Sequence, residues 1–215
     1  MVVRRLVRLA FFGAVVGVTL GIGQRSGSGE RIDRVLAVVE GQVILLSDVR
    51  AFLDLRLIES PDAADPAPLI LTALIERQLI LEEAVRYGVE APTSEDVDAR
   101  MAAVVARVGG NTAFQERLPA VGFTLDDLKQ VLRNDLRIER YLDRRFVSAR
   151  QPTEDEVAAF FRDHADEFLA GGVLPSFDAV RDDARRRLSK ELRQGRIDDW
   201  VALLVDRADV FRVTP

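Results

Sequence analysis

Between Ile32 and Leu46, apolar residues crowd into two short runs, Ile32–Val39 and Gln42–Leu46, separated by Glu40-Gly41. Runs this rich in valine, isoleucine and leucine favour extended chain, and Gly41 supplies the positive φ of a tight turn, so the pattern predicts a β-hairpin. Ser47 follows at once and is placed to cap a first helix reaching about Glu59, with Val49, Phe52, Leu53 and Leu57 near one face. Pro61 and Pro66 end that helix. From about Ala67 to Tyr87 the apolar positions surround the helix instead of forming a stripe. That pattern marks a central helix buried on most sides, with Gly88 just past its end.

The next stretch reads as shorter helices. One starts at Thr93 or Ser94, carries Val97, Met101, Val104, Val105 and Val108 on one face, and stops at Gly109-Gly110. Another spans about Thr112 to Val121, using Phe114 and Leu118. Thr124 then caps a long helix reaching about Arg145, with Leu125, Leu128, Leu132, Leu136 and Leu142 on one face. Val131, Ile138 and Tyr141 widen that arc to about 200°, more than one neighbour needs. Either two elements cover this helix, or these three side chains are left for a bound polypeptide; they are the candidate substrate-binding residues.

Thr153-Glu154-Asp155-Glu156 is a capping box that opens a sixth helix bearing Val157, Phe160, Phe161, His164 and Phe168. A short loop, Leu169 to Pro175, precedes a last long helix from about Ser176. Gly195 falls inside its pattern and suggests a kink or a close helix crossing. Val210–Val213 reads as a strand that would join the hairpin, since a two-stranded unit is marginal alone. Burial of Leu188, Leu192, Trp200 and Leu204 would bring the last helix back across the N-terminal ones. The fold class is therefore mainly α, with a small N-terminal hairpin completed by a C-terminal strand.

Composition adds a compartment. Arg4, Arg5 and Arg8 precede an apolar run from Leu9 to Ile22 and then a small, polar segment. The order of basic, short apolar and small residues is that of a secretory signal peptide, and the run falls short of the ~20 residues that span a bilayer. Residues 1–23 are expected to be a signal peptide, or else an uncleaved N-terminal anchor; residues 24–30 are a linker and 31–215 the folded domain, with 176–213 packing back on its N-terminal part. Beyond residue 23 the chain holds 27 basic against 35 acidic residues, a balance of −8. A surface this acidic argues against nucleic-acid binding.

Chemistry is sparse. The chain has no cysteine and a single histidine, His164, on the aromatic face of the sixth helix, where a packed histidine is expected. Asp126/Asp127 and Asp182/Asp183 are sequence neighbours that do not face each other on a helix. No catalytic, cofactor-binding or metal-binding residue is identified, and the chain is not read as an enzyme.

A family resemblance ties these elements together. Asp33-Arg34-Val35 through Val43-Ile44-Leu45-Leu46-Ser47-Asp48-Val49 resembles the first hairpin of the SurA-like periplasmic chaperones. Leu74-Ile75-Glu76-Arg77-Gln78-Leu79-Ile80-Leu81-Glu82-Glu83-Ala84 is similar to that family's central helix, and Phe123-Thr124-Leu125-Asp126-Asp127-Leu128 with Arg133-Asn134-Asp135-Leu136 to its fifth. Phe160-Phe161-Arg162-Asp163-His164-Ala165-Asp166-Glu167-Phe168 resembles the aromatic helix that normally leads into a parvulin prolyl-isomerase domain. Here only Leu169 to Pro175 fills that place, and parvulin chemistry uses two histidines. The resemblance thus implies a SurA N-terminal-like helical chaperone core without the isomerase insert. It would be periplasmic and ATP-independent, with unfolded exported or outer-membrane polypeptides as partners. The alternatives are an envelope adaptor for one defined partner, tethered to the inner membrane and facing the periplasm, and an inactive isomerase-family member serving an envelope assembly.

Overall fold

A computed structural model describes residues 33–58, 63–147 and 150–213. The expected signal segment (1–23) and linker (24–30) lie outside the described residues, as does Ile32. Chain order is β1 (Val35–Val39), β2 (Gln42–Leu45), α1 (Leu46–Asp54), α2 (Ala67–Arg86), α3 (Ser94–Arg107), α4 (Asn111–Ala120), α5 (Leu125–Arg145), α6 (Glu154–Asp163), a 3₁₀ turn (Ala165–Phe168), α7 (Phe177–Arg207) and β3 (Val210–Arg212).

The hairpin closes through Glu40 (φ 48°) and Gly41 (φ 82°), both left-handed, as the twist of two antiparallel strands requires. β1 pairs with β2 on one edge and with β3 on the other, Val38 standing opposite both Val43 and Phe211. The turn is tied to the end of α7: the Glu40 N–H donates to the Asp209 carbonyl and the Glu40 carboxylate accepts the Asp209 N–H. Ala37, Val39 and Ile44 on the inner face of the sheet join Val49 and Phe52 of α1, Ile70, Leu74, Ile75 and Leu79 of α2, and Leu204 of α7 in one core cluster. The expected third strand is present, and α2 is the central helix.

The threonine-capped helix starts and the end of α2 follow the local chemistry of the sequence. By contrast, α1 stops at Asp54, short of the expected Glu59 and ahead of Pro61 and Pro66, because the chain turns at Arg56; its start differs too. Thr93, Thr124 and Thr153 each accept the N–H of a residue three positions on, whose carboxylate returns to the threonine N–H. α2 ends in a Schellman turn: Gly88 (φ 64°) donates to the Val85 carbonyl and Val89 to that of Ala84. At that start, Ser47 lies inside the first turn of α1, and carboxylates do the capping instead: Asp48 accepts the Leu45 N–H and Asp33 accepts the Ser47 N–H. A charged acceptor reaching in from the strand side outcompetes the serine hydroxyl at the positive helix end.

A second cluster joins Ala51 and Leu55 to Val97, Val104, Val108, Phe114, Leu118, Val121, Leu128 and Leu132. α5 contacts both α2 and α3, so the wide apolar arc is covered by two elements. A third cluster holds Val157, Phe160, Phe161, Phe168, Ala184 and Leu188, with Leu192 against it. Here the expectation for α7 needs correction. Leu188 and Leu192 pack within the α6–α7 hairpin, while Trp200 and Leu204, further along, meet the N-terminal helices. A helix of 31 residues is long enough to serve two cores in succession. Gly195 sits where the two halves join. The helix runs through it unbroken, and a Cβ there would meet nothing within 4 Å, so a close helix crossing does not explain it.

Two outcomes follow from these geometries. Gly195→Ala should raise stability by about 1 kcal/mol in urea denaturation, because it removes backbone freedom from the unfolded chain at no steric cost. In acid, the capping carboxylates set the trend. The Arg150 guanidinium and the Thr153 N–H hold Glu156 down from 4.5 to about 2, and the hydroxyl and N–H of Thr93 and Thr124 lower Asp96 and Asp127 in the same sense. Carboxylates with depressed folded pKa values stabilise the fold above their unfolded values, and that contribution is lost as pH falls towards the folded ones. Melting temperature should therefore drop between about pH 4.5 and pH 2, and Glu156→Gln should flatten part of that drop.

Candidate binding groove

α1 ends in a turn that a glycine would ordinarily make. Arg56 adopts φ 52°, its N–H donating to the Leu53 carbonyl and the Leu57 N–H to that of Phe52. A left-handed arginine costs about 1 kcal/mol and persists only where its surroundings hold it. Arg56 and Arg107 hold it here, each guanidinium donating to the other's backbone carbonyl. The turn presents Leu57 and Ile58, both half-buried, beside α2.

Two clefts share those residues. One, of about 1080 Å³, is lined by Leu53, Asp54, Arg56, Leu57, Ile58, Pro66 and Arg107. The other, of about 250 Å³, lies between the α1 turn, α2 and α5. Its apolar lining is Phe52, Leu57, Ile58, Ala73, Ile80 and Ile138, and its polar rim is Glu76, Arg77, Arg100, Asp135 and Glu139. Most of the rim is fixed by ion pairs. Arg77 Nε donates to Asp135 Oδ1 at 2.6 Å and its Nη2 to the Val131 carbonyl at 3.0 Å, with the guanidinium 5.5 Å over the Phe52 ring. Arg100 forks onto both oxygens of Glu139 at 2.8 and 2.6 Å. Burial raises the Asp135 carboxyl above its ordinary value despite Arg77, and burial likewise raises Glu76.

The three residues selected from the apolar arc of α5 fall in three settings. Ile138, 8% exposed, lines the smaller cleft. Val131 is half-buried against the central cluster and contributes its carbonyl to Arg77. Tyr141, 4% exposed, is a core residue: its ring lies 5.8 Å from Tyr87 and 5.8 Å from Trp200. Sequence reasoning missed Leu57, Ile58 and Glu76 as groove residues. An uninterrupted apolar pair between a helix end and a proline loop, and an acid among apolar neighbours on the central helix, were the available signals.

His164 stacks on Phe160 with ring centroids 4.3 Å apart, its Nδ1 3.0 Å from the Phe160 carbonyl, a packed and hydrogen-bonded position. Among the described residues no group of acids and histidine could hold a metal ion, and no helix is long and apolar enough to cross a membrane.

The fold, a small antiparallel sheet completed by the C-terminal strand around a central helix, is similar to that of a SurA-like chaperone. A SurA-like chaperone of Campylobacter jejuni superposes with a TM-score of 0.51 at 12% identity, covering 84% of this chain and 99% of that one. Chaperone SurA of Pseudomonas putida is 26% identical over 207 residues, covering 84% of this chain and 47% of its own length. Chaperone SurA of Pseudomonas syringae pv. tomato is 25% identical over 185 residues, 79% of this chain and 43% of its own. The chain thus spans about half the length of the curated relatives it matches. No family model matches the chain. Between the 3₁₀ turn and α7 stand only Leu169 to Pro175, folded as a two-residue bridge, Ala170 to Val173, around Gly171-Gly172; no parvulin domain occupies that position.

The rim makes a stability prediction. Because burial dominates at Asp135, the folded state favours its neutral form, and the stability tied to that form is lost as pH rises through the raised pKa. Asp135→Asn should remove that pH dependence, but it leaves the Arg77 guanidinium without its counter-charge and should destabilise the fold at neutral pH. Arg77→Ala strands a largely buried carboxylate and should cost about 3 kcal/mol, read by chemical denaturation.

Proposed function

We propose that the chain is an ATP-independent, periplasmic chaperone-like protein that holds unfolded or extended exported polypeptides, outer-membrane proteins among them, in this groove without isomerase activity. The observation that carries the reading is the apolar wall of half-buried Leu53, Leu57, Ile58 and Ile80, backed by buried Phe52 and Ile138, along two clefts of a SurA-like fold. A cleft with an apolar wall and a rim whose charges are mostly paired already suits many sequences, because area more than matched geometry sets affinity. Val131 and Tyr141 serve it from behind, one through the Arg77 contact and the other by fixing α5 against Trp200. The basic and apolar N-terminal segment supports export, and the acidic balance would keep client-bound protein soluble. The single histidine and the absence of an inserted domain after the 3₁₀ turn support the lack of isomerase activity.

The test is suppression of aggregation of a urea-diluted outer-membrane protein, without nucleotide. The protein should suppress aggregation at near-stoichiometric ratio, and Ile58→Glu, at a half-buried position on the cleft wall, should weaken client binding about tenfold with an unchanged helical spectrum. Full activity in that variant would remove the groove from the mechanism. Recovery of a single stoichiometric partner from envelope extract, with no suppression, would favour the adaptor reading.

A further inference from the structure

The smaller cleft, between the α1 turn, α2 and α5, carries one charge that its own walls do not answer. Arg77 and Asp135 neutralise each other, as do Arg100 and Glu139. Arg56 and Arg107, in the adjoining and more open cleft, each give one bond to the other's backbone carbonyl and keep their charge at an exposed position. Glu76 lies half-buried among Phe52, Leu57, Ile58, Ala73 and Ile80, and no described residue forms an ion pair or hydrogen bond with it. Asp198 of α7 opposes its ionisation, and Gln194 donates to Asp198. Arg212 of β3 favours it, but its Nη2 is bound to the Thr72 hydroxyl, one turn earlier on α2. A carboxylate kept half-buried in a cleft with apolar walls and no counter-ion is costly when the cleft is empty and favourable when a cation arrives.

Resting on the reading that the groove holds polypeptides, we propose that it selects segments in which a lysine or arginine stands beside apolar residues, with the Glu76 carboxylate as the counter-ion. The apolar stem of the incoming side chain would lie along Ile80 and Ile138 while its head reaches Glu76, the usual way long basic side chains divide between apolar and polar surroundings. Arg77 and Arg100 cannot take an acidic segment in the same way, because Asp135 and Glu139 already occupy them. The cleft of about 250 Å³ fits one such side chain at a time.

The test uses the full chain and short extended apolar peptides, each made twice: once with arginine at a central position and once with citrulline, which keeps the shape and loses the charge. Arginine peptides should bind about fivefold more tightly in fluorescence anisotropy, a modest charge-pair effect. In Glu76→Gln, an isosteric change at a half-buried position, both forms should bind with the citrulline affinity. Asp198→Asn should shrink the difference without erasing it. Equal affinities in the parent protein, or a preference that survives Glu76→Gln, would overturn the proposal while leaving the groove as a polypeptide site. Failure of both forms to bind would overturn the groove reading and this proposal together.

Discussion

β1 is the middle strand of a sheet whose outer strands come from opposite ends of the folded chain. A hairpin of this size is marginal in water, so β3 is needed to make a sheet that can bury Ala37, Val39 and Ile44. β3 can reach β1 only if the second half of α7 lies along α2. That path is fixed by Leu204 in the central cluster and by Glu83, 6% exposed, which accepts from Arg86 at 2.7 Å and from Arg207 at 3.3 Å. The elements between β1 and β3 therefore form one long closed loop on this small sheet. Loop-closure entropy grows only with the logarithm of length, about 0.6 kcal/mol for each doubling. A chain organised this way can gain or lose a large segment inside the loop at little cost to the sheet, provided the segment enters where few contacts cross.

The α6–α7 hairpin is such a place. Its cluster of Val157, Phe160, Phe161, Phe168, Ala184 and Leu188 is built from its own two helices and the turn between them. Its surface is laced with pairs that stay within the hairpin: Glu154 with Arg181 and Arg185, Asp183 with Arg186 and Arg187, Glu167 with Arg187. Exposed pairs contribute little each, but on a long helix with an apolar face only on one side they favour the helical register over alternatives. The connection at Leu169–Pro175 closes the far end of this unit. Its length can change without touching either the sheet or the groove.

Much of this was legible because it is local. Gly41, Gly88 and the three threonine caps act within a few residues of themselves, so spacing alone locates the hairpin turn and most helix ends. What was not legible depends on residues far apart in sequence. Asp33 caps α1 from 14 positions away and displaces Ser47 from that role. Leu188 and Trp200 share one helix and one periodicity, yet they enter different clusters because α6 meets only the first half of α7. The groove is the hardest case. Its wall comes from an irregular turn at Leu57-Ile58 that has no period, and the apolar arc that named Val131, Ile138 and Tyr141 reports where neighbours are needed, not which neighbour leaves a gap.

The rim of the groove bears on how such a site could work without an energy source. A holding protein must bind many sequences and still release them, so its affinity has to come from area with little ordering cost on its own side. Loose charged side chains around an apolar cleft would each lose rotamer freedom on binding. Here the bidentate Arg100–Glu139 pair, the Arg77–Asp135 pair and the reciprocal Arg56–Arg107 contacts have already fixed them. The folded protein has met that entropy cost in advance, including the strain stored at Arg56. On the proposed reading, a client would meet a rigid wall. What it gains is mainly desolvation of apolar side chains, which is broad in specificity and is reversed whenever the client can bury those side chains in its own fold.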